Sequence, residues 1–210
     1  MDTLSNYQVV QKIHTGFETS LYRLRDKADS PIYLAVVYNT QSLTPAGISK
    51  IRQENSVVNN AGIIGAPKLI DIIESRNKLT ILYEDFDGVP LSTFLSHTKT
   101  TTILFFLKTA VLIAEALGHI HSSEIIHKNL KPESILINVD IPAIMVKDLG
   151  LSPASNRLND IFLSDNNNNF LSYISPEQTG RTSNLPDYRT DLYSLGIIFF
   201  QMLTGAVPFK

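Results

Sequence analysis

The residues able to do chemistry crowd into one stretch of this sequence, from Ile125 to Phe209. The run His127-Lys128-Asn129-Leu130-Lys131-Pro132-Glu133-Ser134 brings an imidazole, two ammonium groups, an amide, a carboxylate and a hydroxyl together, directly ahead of the apolar ILIN. Asp148 follows in Lys147-Asp148-Leu149-Gly150, Glu177 in Ser175-Pro176-Glu177, and Asp191 at the head of Asp191-Leu192-Tyr193-Ser194-Leu195-Gly196. Composition excludes other chemistries. With no cysteine there is no disulfide, thiolate metal site or cysteine nucleophile. The five histidines lack metal-ligand spacing, and His119 and His121, two apart on a predicted helix, point to different faces. All five are read as structural.

The elements that must position these residues fall into two unlike halves. From Tyr7 to Glu84, β-branched and aromatic runs (YQVVQKI, TSLYRL, IYLAVVY, LTILYE) separated by polar turns predict strands, interrupted by one helix from about Pro45 to Asn59. After Gly88, Thr100 to Ser122 is apolar all round, as a buried helix is. ILIN and AIMV read as strands, Asn166 to Asn169 as a loop, and Asp191 to Leu203 as a second apolar helix. The expected architecture is α+β and two-lobed: a β-rich lobe over 1–84, a connector at 85–88, and a mainly helical lobe over 89–210.

With 210 residues, 43% of them hydrophobic and 18% charged, the chain has ample material for a globular core. A net charge of -2 gives no reason to expect nucleic acid or an anionic membrane as partner. No secretory or transit signal is visible, and the apolar runs Ile103–Ala114 and Leu195–Leu203 fall short of the ~20 residues a spanning helix needs. Membrane insertion is therefore not expected, and a cytoplasmic location is.

The order of these segments resembles the protein-kinase signature set of catalytic loop, DFG, APE and the aspartate-led helix after it, closing with Leu203-Thr204-Gly205 and Pro208-Phe209. YISPEQTGR with DYRTDLYSLG is similar to a narrower group, the kinase-like N-terminal domain of large multidomain sensor histidine kinases of bacteria and fungi. The resemblance covers Tyr7 to Phe209 and implies a Ser/Thr-type kinase fold that uses ATP and Mg²⁺.

Carried over residue by residue, it also implies damage. Only Gly16 remains of three glycines that cradle phosphate, His14 and Thr19 standing at the other two places. Ala35 fits the alanine against the adenine, but the lysine place is Val37, so Glu54, which fits the helix glutamate, lacks its partner. The resemblance also implies nucleotide-binding positions at Glu84 and Leu136. The base place holds Asn129, whose amide cannot accept a proton, and the second metal place holds Ser134, a weaker ligand. Lys131 is retained and could reach a γ-phosphate, and His127 packs within the loop. Asp148 is retained, and one carboxylate with phosphate oxygens can hold Mg²⁺, which keeps several waters. Asp191 should cap the catalytic-loop backbone, and Glu177 should seek an arginine from a later helix that this chain does not contain.

Three functions remain open: a pseudokinase with weak, Mg²⁺-dependent nucleotide binding, a Ser/Thr kinase of residual activity, and a non-functional fragment. The chain stops at VPFK, so the large lobe is expected to be incomplete and to expose apolar surface to a protein partner or a downstream domain. Glu177 is expected to be relieved by water, Arg181 or Arg189.

Overall fold

A computed structural model describes residues 7–15, 19–26, 31–98, 100–149, 168–180 and 185–209. The chain forms two compact units, Met1–Gly62 with Pro67–Phe86, and Ile63–Ala66 with Asp87–Lys210. The division falls inside the connector expected at 85–88. Ile63–Ala66, which the sequence reading placed in the first lobe, belongs to the second unit, because Gly65 accepts a hydrogen bond from Val146 N at 2.7 Å.

In the first unit, β1 (Gln8–Thr15), β2 (Thr19–Arg25), β3 (Ile32–Asn39), β4 (Leu69–Ser75) and β5 (Lys78–Glu84) make one antiparallel sheet, ordered β1-β2-β3-β5-β4. The central strands carry the β-branched runs: β3 is buried from Leu34 to Tyr38 and β5 from Leu79 to Tyr83. Leu24, Ala35 and Leu82 form a cluster with almost no exposure. Helix α1 (Pro45–Ala61) starts where Thr44 Oγ1 accepts from Gly47 N at 3.1 Å with Pro45 in the first turn, and stops at Gly62, whose φ of 58° a side chain would resist. Asn55 and Tyr83 bond through their side chains inside this unit. The sequence reading did not identify β4, whose exposed Ile70, Asp71 and Glu74 break its apolar run.

The second unit has a short sheet, β6 (Val89–Pro90), β7 (Ile135–Asn138) and β8 (Ala143–Val146), and helices α2 (Leu91–Thr98), α3 (Ile103–Ser122) and α4 (Tyr188–Thr204). Thr102 caps α3 by accepting from Phe105 N at 3.2 Å, and Asp187 caps α4 by accepting from Arg189 N at 2.9 Å. Helix α3 packs on β8 and α4, with Phe106 edge-on to Phe199 at 5.5 Å.

The expectation of a fully buried α3 is corrected. Ile113, Ala116, Leu117 and Ile120 are buried, while Ile103, Leu104, Leu107 and Val111 are exposed. By length and composition (mean hydropathy 1.8) α3 is apolar enough to cross a membrane, and within this unit its buried face is the one against β8 and α4.

Candidate functional site

Asp191 organises the loop that follows α3. Its side chain is fully buried at the start of α4. Oδ2 accepts from His127 N and Oδ1 from Lys128 N, both at 2.8 Å, and His121 Nε2 donates to Oδ2 at 2.8 Å. A buried carboxylate is tolerated only when so surrounded by donors. Lys128 takes φ 63°, a conformation costly for a residue with a side chain, and the two bonds to Asp191 fix it there. The sequence reading missed His121 as a third partner, because a histidine on a helix carries no spacing signal for a carboxylate 70 residues away.

His127 is wholly buried and ties the loop to the end of β8. Nδ1 accepts from Asn129 N at 3.3 Å, which leaves the proton on Nε2 to donate to Lys147 O at 3.0 Å. Burial pushes the imidazole below its ordinary value, against the pull of Asp191 and Asp148. Lys147 N in turn donates to Ser134 O at 2.8 Å, so both main-chain groups of Lys147 are held. Asn129, at the expected base position, is half-buried in this frame.

Asp148 sits at φ 62°, beside the ammonium of Lys147, and the two side chains form an ion pair. Burial raises the carboxyl, but the Lys147 ammonium, with help from Lys131, holds it below the usual carboxylate range. Two ammonium groups thus act on one carboxylate. Lys147 was missed in the sequence as a neighbour of a motif rather than a member of it.

Ser134, at the expected second metal place, has its hydroxyl engaged in its own turn. Its hydroxyl donates to Lys131 O at 2.8 Å and accepts from Lys131 N at 3.1 Å, closing the turn before β7 with almost no exposure. With Asp148 paired to Lys147 and Ser134 engaged in its own turn, a divalent cation at Asp148 would have to displace the Lys147 ammonium and take its other ligands from phosphate and water. No three His, Asp or Glu side chains converge as a metal site among the described residues.

The remaining expected positions are placed as follows. Val37 is buried in the middle of β3, opposite Ser20 of β2 and Thr80 of β5, with Ala35 two residues before it at zero exposure. Glu84 ends β5, where its N donates to Lys68 O at 3.0 Å and its carboxylate pairs with Lys68 at 3.1 Å. Leu136 is buried in β7 opposite Met145. Gly16 and the side chain of Glu54 lie outside the described residues, as do Asn166, Asn167 and Arg181.

Glu177 is not the buried orphan that its motif implied. It is half-buried, and Oε1 accepts from Thr190 Oγ1 at 2.7 Å, a bond that holds its carboxyl below the ordinary value. Arg189 pairs with Asp187 at 2.7 Å. Next to Glu177, Gln178 Nε2 donates to Lys128 O at 2.6 Å, a link between this segment and the catalytic loop that the motif did not announce.

Residues 7–210 match the protein kinase domain. The serine/threonine-protein kinase PrkC of Bacillus subtilis is 25% identical over 206 residues, covering 97% of this chain and 31% of that protein. The serine/threonine-protein kinase Pkn1 of Myxococcus xanthus is 28% identical over 189 residues, covering 86% of this chain and 26% of that protein. The chain thus spans about a third or less of the curated relatives it matches. Rad53, solved in complex with AMP-PNP, shares the fold at a TM-score of 0.75 and 19% identity, over 99% of this chain and 50% of that one. With an aspartate-held loop, a β-sheet unit and a helical unit in kinase order, and a family match along nearly its whole length, this chain belongs to the protein kinase family.

Proposed function

We propose that the chain is a protein-kinase-like signalling domain of the pseudokinase kind, with weak nucleotide binding and little or no phosphoryl transfer. The observation that carries this reading is Asn129: the loop around it is fully braced by Asp191 and His127, yet the group at the proton-accepting place is an amide. Val37, buried in β3, adds the loss of a cation from the phosphate site. General-base catalysis is worth ~10²–10⁴-fold, and a transition-state charge contact a comparable factor. Kinases turn over at ~1–100 s⁻¹, so either loss alone takes the rate far below useful turnover. In this reading the domain lies in the cytoplasm and acts through a protein partner or an adjoining domain of a larger signalling protein. The relatives' greater length supports that last point.

The test is transfer of labelled γ-phosphate from ATP to the chain itself and to a generic protein substrate. No transfer above background is expected. Robust labelling would establish instead the alternative, a Ser/Thr kinase working with an unconventional site.

A further inference from the structure

We propose that the second unit carries a further binding site for a small apolar carboxylate, an unbranched acid of medium length. It lies between α3 and the β7–β8 hairpin, shares no residue with the catalytic loop, and holds the acid's carboxylate on Lys108.

A cavity of about 280 Å³ opens between these elements, and all its walls belong to the second unit. Leu104, Phe105 and Leu112 of α3 line one side. Ile137 and Ile144 line the other; they stand opposite each other in the β7–β8 register and so share one face of the sheet. At the ~30 Å³ a water occupies, the space takes roughly nine non-hydrogen atoms, fewer than a drug-sized ligand has and about one short chain.

Two polar groups decide the occupant. Thr109 borders the cavity at 6% exposure, yet its hydroxyl has no hydrogen-bond partner among the described residues. Other helix hydroxyls have one: Ser122 donates to Gly118 O and Thr204 to Phe200 O, each four residues back and at 2.8 Å. A buried hydroxyl without a partner is costly, and the cavity is where a partner for Thr109 can enter. Lys108 borders the same cavity from its exposed side and forms no ion pair among the described residues, Asp140 of the β7–β8 turn included. Its neighbours four residues away are Leu104 and Leu112, and the first turn of α3 has no acidic residue. An anion at this rim meets an uncompensated ammonium and the positive end of α3. The same charge disfavours a cation, a wholly apolar ligand leaves both polar groups unused, and the volume suits one small molecule rather than a protein chain.

Octanoate is the probe, titrated into the whole chain well below its micelle-forming range and followed by calorimetry and amide chemical shifts. One saturable site is expected, with shifts concentrated in the first half of α3 and in the β7–β8 hairpin. Lys108→Gln should weaken binding about tenfold, the size of one charge-assisted bond. Thr109→Val should weaken it by roughly threefold or more, with no loss of urea stability, because no bond inside the protein is removed. Acetate, which has the charge without the chain, and octan-1-ol, which has the chain without the charge, should each bind at least about tenfold more weakly than octanoate. Leu107→Ser, on the exposed stripe of α3 outside the cavity, should bind as wild type does. No saturable octanoate binding would mean that water alone fills the cavity, and would overturn the proposal. So would unchanged affinity in Lys108→Gln, octan-1-ol binding as tightly as octanoate, or binding lost in Leu107→Ser but kept in Thr109→Val. Sedimentation showing a dimer that excludes octanoate would assign the groove to a second copy of the chain and overturn it too.

Discussion

Asp191 accepts the main-chain N–H groups of His127 and Lys128 and receives His121 Nε2, all at 2.8 Å, without exposure to water. Asp191→Ala leaves three donors without this partner, the His127 N–H fully buried and the Lys128 N–H and His121 Nε2 part-buried, and a buried one costs about 1–3 kcal/mol. A loss of roughly 2–3 kcal/mol is expected, a large part of the ~5–15 kcal/mol a domain possesses. Urea unfolding checks this, and a midpoint close to wild type would mean that the loop is held by other contacts. His127 makes a second prediction. Its folded-state value lies below the ordinary 6.5, so above that pH neither folded nor unfolded chain gains a proton there, while below it the unfolded chain protonates first. Stability contributed by the neutral buried ring is therefore lost as pH falls below 6.5, by at most ~1.4 kcal/mol per pH unit. The Asp148 carboxyl, also lowered, acts in a separate and more acidic window, below its ordinary 3.8. Urea midpoints at pH 7.5, 6.5 and 5.5 should drop only in the last step, and His127→Gln should flatten that step. Asn129 and Val37 were assigned at this scale from a pattern that names their positions. Lys147 and His121 were not, since their roles depend on where a neighbouring carboxylate points in space.

At the scale of elements, Gly65 shows how closely the second unit is assembled. It has φ 83°, and a Cβ built on it would lie 2.7 Å from Ala116 Cβ and 3.4 Å from Ala116 Cα on α3. Its carbonyl meanwhile accepts from Val146 N, the residue just before Lys147. Gly65→Ala should therefore destabilise by roughly 2–4 kcal/mol, part from the strained backbone and part from overpacking. Adding Ala116→Gly should recover the overpacking share and leave the backbone share. A double variant no better than Gly65→Ala in urea would show that the α3 contact is not the source. Strands β1, β2, β3 and β5 and helices α1, α3 and α4 were legible, the helices because each runs for two turns or more and the strands because their β-branched and aromatic runs sit between polar turns. Strand β4 was not, since Asp71 and Glu74 interrupt its apolar pattern, and α2 was not, because Ser92, Thr93, Ser96 and Thr98 give it the composition of a loop. Within 195–203 of α4, Phe200 and Leu203 are exposed, but α3 exposes more apolar surface. The sequence reading treated α3 as buried because composition cannot tell an unpartnered face from a core one.

Across the whole molecule the kinase frame is present, and the proposed reading holds that its chemistry has changed. The loop is braced and the sheet and helices follow kinase order, while, in the proposed reading, an amide, a valine and a serine stand at the places of base, lysine and second metal ligand. The frame depends on backbone bonds and burial, which tolerate such replacements; catalysis depends on functional groups, which do not. The most direct test is γ-phosphate transfer measured side by side for wild type, Asn129→Asp, and Asn129→Asp with Val37→Lys, leaving Ser134 in place because its hydroxyl closes the turn before β7. Wild type and Asn129→Asp should stay at background, because a restored base still lacks the lysine at position 37, and the double variant should be the first to rise. Wild-type turnover within about a hundredfold of the ~1–100 s⁻¹ of kinases would contradict the pseudokinase reading outright.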